Sequence, residues 1–158
     1  MRRTDREITE LADVLAVLDR CEVMRVGFCV DDQPYIVPMN FAYEVIDDKI
    51  AVYFHCAGVG RKLDMLRRNS RVCFEADCSY RTLEAESACS WSAEYESVMG
   101  EGDISILQDE AEKTHALDVL MARHGFVGVP QYDPVELAAI TALRISVTSI
   151  TGKRNLRS

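Results

Sequence analysis

A mainly antiparallel β fold, long enough to curl into a small barrel with helices outside it or across an end, is predicted by three features of this 158-residue sequence. Runs of β-branched and aromatic residues recur between Val23 and Val45, Ile50 and Ala57, Arg71 and Cys78, Glu94 and Leu107, and Thr141 and Lys153. The short polar breaks DDQP and IDDK join the first of these runs, which favours hairpins over crossover connections. Helix-period segments are few and separate the strand groups.

The elements follow in order. Thr4 and Glu7 have the form of a capping box, and Ile8, Leu11, Ala12, Leu15 and Leu18 recur at helical spacing. A helix over about residues 4–20 is expected, followed by a barrel over about residues 23–153. VMRVGFCV and YIVPMNFAYEV read as two strands of one hairpin. Pro38 removes a ladder donor from the second strand, so that strand lies at an edge or carries a bulge. IAVYFHCA is a third strand ending at His55 and Cys56. The loop GVG leads into a helix from Arg61 to about Arg68, ended by Asn69 as a residue that tolerates the left-handed C-terminal position. RVCFEADC is the fourth strand, Ser79 to Ser90 reads as loop with room for strand character, and Glu94 to Leu107 is a long strand bent at Gly100 and Gly102. Asp109 with Glu112 opens a helix whose apolar face, Leu117, Leu120 and Met121, ends before Gly125. VELAAI forms a helical turn, and TALRISVTSITGK closes the chain as a strand. With 48% hydrophobic residues, residues 1–158 can form one domain with a real core.

The net charge of −8 argues against nucleic acid or an anionic membrane surface as a partner, since both require a basic footprint. No apolar run approaches the roughly 20 residues of a membrane span, and the first ten residues lack the apolar stretch of a signal peptide, so a cytoplasmic location is expected. Six cysteines are expected as reduced thiols. The three scattered histidines and the lack of Cys-x-x-Cys or His-Glu-x-x-His leave no metal site to predict.

One local feature breaks the pattern. Arg61, Lys62, Arg67, Arg68 and Arg71, with Asp64 the one acid among them, make residues 61–71 +4 in a chain that is otherwise −12. Arg67, Arg68 and Arg71 lie at or beyond a helix C-terminus, where cations suit the macrodipole. Arg61 and Lys62 lie in the first turn, where a positive charge is unfavourable. Either both extend into water, or an anion sits at the helix start, met by N–H groups and by the two cations. Gly58 and Gly60 allow the backbone to approach such a ligand, and phosphate is the natural candidate. The spacing is neither a P-loop nor a Gly-x-Gly-x-x-Gly fingerprint.

YIVPMNFAYE, VYFHCAGVGRKLDMLRRNSRVCFEAD, WSAEYESVMGEGDISIL and the late ITGK together resemble the flavin-binding split β-barrel superfamily that includes the pyridoxamine 5′-phosphate oxidases, and within it the nitroimidazole-resistance (Nim) group. The resemblance runs from about the first helix to Lys153. It implies an antiparallel split β-barrel of Greek-key type with flanking helices, and a homodimer with FMN at the subunit interface. It implies further that Val37, Pro38, Met39, Asn40 and Phe41 line the isoalloxazine through their backbone, that Phe54 and His55 lie beside the ring, and that Arg61 and Lys62 hold the phosphate. The segment with Trp91, Tyr95 and Ser97 helps close the pocket, and sharing a barrel face would bury Pro38, Phe41 and Trp91 more fully. The activity implied is an FMN-dependent oxidoreductase, reduced by NAD(P)H or a partner, acting on a small aromatic or heterocyclic substrate such as a nitroimidazole-type compound. A pyridoxamine 5′-phosphate oxidase would need a second basic cluster, for which only GKRNLR near the end of the sequence offers material. A non-catalytic module binding flavin, deazaflavin or haem is the third reading.

Individual residues carry two readings each. His55 is either a structural histidine or, beside a flavin, a catalytic group that positions the substrate or gives it a proton. Trp91 is either a barrel-end core residue or a pocket wall. Cys56 cannot pair with His55 as a nucleophile, because strand neighbours point to opposite faces. Glu75 and Asp77 share a face that reads as solvated.

Overall fold

The computed structural model describes residues 3–157. Its elements are β1 (Glu7–Ile8), α1 (Leu11–Arg20), β2 (Val23–Val30), β3 (Gln33–Asn40), β4 (Ala42–Ile46), β5 (Lys49–Ala57), α2 (Arg61–Arg68), β6 (Arg71–Leu83), β7 (Ser92–Ile106), α3 (Glu110–Arg123), α4 (Pro134–Ala139) and β8 (Ile140–Asn155). One eight-stranded sheet has the order β3-β2-β6-β7-β8-β5-β4, with β1 added on β8, and its pairings are antiparallel. Strands β3 and β4 lie at opposite edges of that order, yet only Phe41 separates them in sequence. The sheet therefore curls until its edges meet at Phe41, giving the expected mainly β barrel with flanking helices. No helix among the described residues is long and apolar enough to cross a membrane.

The turns explain much of the geometry. Asp31 and Asp32 have φ of 52° and 58°, and Asp47 and Asp48 have φ of 48° and 62°. Both hairpins thus turn on two left-handed residues, the geometry that matches strand twist and that aspartate accepts better than most side chains. Pro38 pairs with Arg25 inside an unbroken register from Val23↔Asn40 to Val30↔Gln33, so β3 is an edge strand without a bulge there. The long apolar run of β5 follows from burial on both faces. Val52 and Phe54 point into the barrel with Val26, Phe28, Phe74, Leu143 and Ile145. Ala51 and Tyr53 point outward under Leu117 and Leu120 of α3 and Leu137 of α4.

Several expectations need correction. The first helix begins at Leu11, not Thr4, and no side chain caps it. Ile8 is buried and Glu7–Ile8 pair with Lys153 and Gly152, so sheet pairing overrides the capping-box pattern. The run Tyr35–Val45 is two strands, broken where Phe41 turns into the core. Asn69 is extended (φ −148°) rather than left-handed, because its side chain bridges elements: Nδ2 donates to the Cys29 carbonyl at 2.9 Å and Oδ1 accepts from the Arg71 N–H at 3.1 Å. The strand character allowed for the loop from Ser79 extends as far as Leu83, with an irregular register between Cys78 and Arg81.

Asp109 caps α3 by accepting from the Glu112 N–H at 3.0 Å, and Asp133 caps α4 in the same manner. Arg123, the last residue of α3, stacks its guanidinium 4.6 Å from the Phe41 ring centroid and donates to the Leu18 and Cys21 carbonyls at 2.6 and 2.7 Å. One side chain thereby joins α3, the end of α1 and the closure of the barrel.

The glycines of β7 have a steric reason. A Cβ on Gly102 would lie 2.4 Å from the Ser146 carbonyl oxygen, and one on Gly100 would lie 2.7 Å from that of Ser149. Between them the β7–β8 register shifts, and Thr148 is the extra residue on β8. Gly102→Ala should cost roughly 1–3 kcal/mol in urea unfolding, because the clash is with backbone that cannot swing away; an unchanged midpoint would show that the strands can separate at no cost.

Candidate functional site

The site grows out of the end of β5. Past Ala57 the chain turns through Gly58, Val59 and Gly60 into α2. Gly60 has φ of 144°, a conformation that glycine alone adopts readily, and a Cβ there would meet nothing within 4 Å. The loop thus leaves open space directly at the start of α2. Gly60 is the N-cap residue and offers no side chain, so no side-chain oxygen satisfies the first N–H groups of the helix.

The two cations of the first turn meet different neighbours. The Arg61 guanidinium lies 4.4 Å from the Tyr35 ring centroid, which brings the edge strand β3 beside the helix start. Lys62 is near enough to act on Cys56: burial pushes the Cys56 thiol up, and the ammonium opposes that shift. Neither Arg61 nor Lys62 has a carboxylate partner among the described residues, whereas Arg67 pairs with Asp64 at 3.0 Å and Arg68 with Asp31 at 2.5 Å. Two of the three cations that suit the helix macrodipole are thus paired; among the described residues Arg71, like Arg61 and Lys62, is not.

His55 is exposed on the outer face of β5, opposite Ala142 of β8. Cys56 packs toward the barrel interior, so the two do share no face. On β3, Val37 and Met39 point inward, while Pro38 and Asn40 are exposed beside the free edge. Phe41 and Phe54 are fully buried inside the barrel. Their side chains support the two strands from within and meet no open space, and Phe41 needs no second subunit to be buried.

Trp91 and Ser97 stand apart from this assembly. Tyr35 pairs with Phe28, and the β2–β6 register puts that level near Val72, whereas Ser97 pairs with Asp77. Five residues of strand, about 17 Å, separate Ser97 from the Arg61 level. Trp91 lies farther out, 51% exposed, with its indole N–H donating to the Ala85 carbonyl at 2.9 Å. It is not a barrel-end core residue.

A second open region was not anticipated. The outer faces of β3, β2, β6 and β7 form a groove of about 910 Å³ whose apolar lining includes Pro34, Ile36 and Met99. Ile36 and Met99 are 66% and 60% exposed. At one side Arg25 reaches Asp77 at 2.6 Å and Glu75 at 3.2 Å, so the carboxylate face read as solvated is an ion triad. Burial, with Asp77 adding to it, holds the Glu75 carboxyl above its ordinary range. The legible signal for this groove was the apolar character of alternate outward positions on β3, which a hairpin facing water would not carry.

Comparison with known proteins agrees with this architecture. The family model described as pyridoxamine 5′-phosphate oxidase matches residues 10–154. A crystal structure of a candidate 5-nitroimidazole antibiotic resistance protein from Bacteroides thetaiotaomicron is 30% identical, covers 94% of this chain and 86% of its own, and superposes with a TM-score of 0.80. An FAD-binding protein from Mycobacterium smegmatis is 25% identical over 96% of this chain and 99% of its own, with a TM-score of 0.61. An FAD- and haem-binding protein from the same organism shares the fold at 20% identity and a TM-score of 0.83, over 96% of this chain and 74% of its own. No curated protein sequence matches. The family match over most of the sequence and the 30% identity to the Bacteroides protein show that the chain belongs to the pyridoxamine 5′-phosphate oxidase family.

Proposed function

We propose that this protein binds FMN at the start of α2 and acts, as a homodimer, as a flavin-dependent reductase of small, flat aromatic or heterocyclic compounds. The observation that carries the reading is the pair Arg61 and Lys62, left without carboxylate partners over the open space at Gly60. Arg61 offers a planar fork to phosphate oxygens, and Lys62 a compact charge that can turn from Cys56 toward the same group. The free edge of β3, from Val37 to Asn40, offers unpaired peptide groups to a planar ring, with Pro38 removing one donor. When bound, the flavin supplies the electron transfer, drawing on NAD(P)H or a partner as reductant. His55, exposed at the end of β5, is placed to orient a substrate or deliver a proton to it. The nitroimidazole-type substrate class rests on the printed description of the Bacteroides relative. An oxidase of pyridoxamine 5′-phosphate is less well supported, because Arg154, in the late basic stretch, already faces Asp13 at 3.7 Å.

Two observations support the dimer. Trp91 and Ser97, which the resemblance assigns to the pocket, lie about 17 Å or more from the Arg61 level within one chain, a separation that a second copy could close. The exposed apolar groove around Ile36 and Met99 offers such a copy a surface to cover.

Replacing Arg61 and Lys62 together by alanine should weaken FMN binding by at least about 100-fold in a fluorescence titration, as two charge-assisted contacts are lost. The melting temperature should fall only slightly, through the lost stacking on Tyr35; unchanged affinity would remove both residues from the site. Met99→Glu should shift the protein to monomer in analytical ultracentrifugation and weaken FMN binding in parallel, and a dimer that survives the substitution would place the interface elsewhere.

A further inference from the structure

The face around His55 is bordered by a segment to which neither the core nor the phosphate site gives a role. After α3 the chain runs through Gly125–Asp133 into α4, and the eight residues Gly125–Tyr132 carry no charge in a chain that is 28% charged. Phe126, Val127 and Val129 lie within this stretch and are 44%, 94% and 80% exposed. Single exposed apolar residues are common on any surface, but three within four positions, with no charge between them, form a local apolar surface.

Both ends of the segment are fixed. At its start the Phe126 N–H donates to the Met121 carbonyl at 3.0 Å, and Gly125, with φ of 86°, takes the chain out of the helix. There Arg123, His124 and Gly125 share a cleft of about 590 Å³ with Asn40, the last residue of β3. At its end the Tyr132 hydroxyl donates to Asp118 of α3 at 2.9 Å, and Asp133 caps α4. Leu137 of α4 joins the buried cluster that holds Tyr53 and Ala142, and a Cβ on Gly58 would lie 3.9 Å from the Ala139 carbonyl oxygen. Among the described residues, the backbone from Val127 to Gln131 makes no hydrogen bond to other backbone, so the stretch between the anchors is free to adjust.

Strand register places His55 between those anchors. Ala42 pairs with Tyr53, so Asn40 and His55, each two residues farther along, leave the β4–β5 ladder at the same level, and both are exposed. On its other side His55 pairs with Ala142, which is buried with Leu137 of α4. The chain from Gly125 to α4 therefore passes from the Asn40 side of His55 to its Ala142 side.

We infer that Gly125–Asp133 is the substrate wall of the flavin site, in which Phe126, Val127 and Val129 cover the face of an uncharged, flat heteroaromatic compound held beside His55. The assignment rests on the flavin reading and adds to it the residues that select the substrate. Covering by this segment favours an uncharged compound, since a charge enclosed there would lose its water and find no opposite charge from Gly125 to Tyr132. Apolar cover of a flat ring also excludes water from the space where His55 would give its proton.

The test uses the full-length protein with ¹³C-labelled valine methyl groups, loaded with FMN, titrated with 5-nitroimidazole and followed by NMR. The Val127 and Val129 methyl signals should shift in a saturable manner, while those of Val45, on the far part of β4, stay in place. The double variant Val127→Ser, Val129→Ser should raise the Kd for 5-nitroimidazole at least about 10-fold, as two apolar contacts are lost. Its FMN affinity and sedimentation should be unchanged, because both residues are almost fully exposed. FMN-loaded protein in which 5-nitroimidazole leaves these methyl signals unmoved overturns the inference. So does a double variant that loses its dimer while its Kd for 5-nitroimidazole is unchanged, which would assign the valines to a subunit contact. Protein that takes up no FMN fails the flavin reading and the wall with it, and the FMN titration alone tells that failure from the others.

Discussion

Closure of the sheet at Phe41 is the constraint on which the rest depends. A single residue connects strands that stand at the two ends of the sheet order, so the barrel has no freedom to open there without unpairing β3 or β4. Phe41 occupies the core at that point, and the Arg123 guanidinium covers its ring while holding the last carbonyls of α1. A cation placed at a helix C-terminus and over an aromatic face satisfies two electrostatic preferences at once. The closure also leaves β3 as an edge beside α2, and that edge is what makes a site.

The electrostatics of the site then follow from position. In a chain of net charge −8, surplus carboxylates could readily pair with any exposed cation. Among the described residues they do so at Arg67 and Arg68, and not at Arg61, Lys62 or Arg71. A helix start that carries two unpaired cations, an uncapped first turn and a glycine opening onto free space is unfavourable for an empty protein and suited to a bound phosphate.

The sequence was most legible where one residue type has one physical use. Pro38 marked an edge, the paired aspartates marked turns, and Asp109 marked a cap. It was least legible where a distant partner decides. Thr4 and Glu7 carry a sound local capping pattern, but burial of Ile8 against Gly152 draws the segment into the sheet. The strand-like run through Phe41 has no breaker in it; only the topology requires the break. Asn69 has the character of a helix terminator and serves instead as a bridge from Cys29 to Arg71. Trp91 and Ser97 belong to a resemblance that does not state which subunit supplies them, and Ile36 and Met99 become notable only once four strands are seen to share an open face.

The chemistry proposed for the barrel stands on what it holds. The absorption spectrum of the protein as purified, followed by identification of the chromophore released on denaturation, tests this most directly. A flavin spectrum with FMN released in near-equal amount to protein is the expected result. A colourless protein that takes up no FMN on titration, or one that releases haem alone, would contradict it.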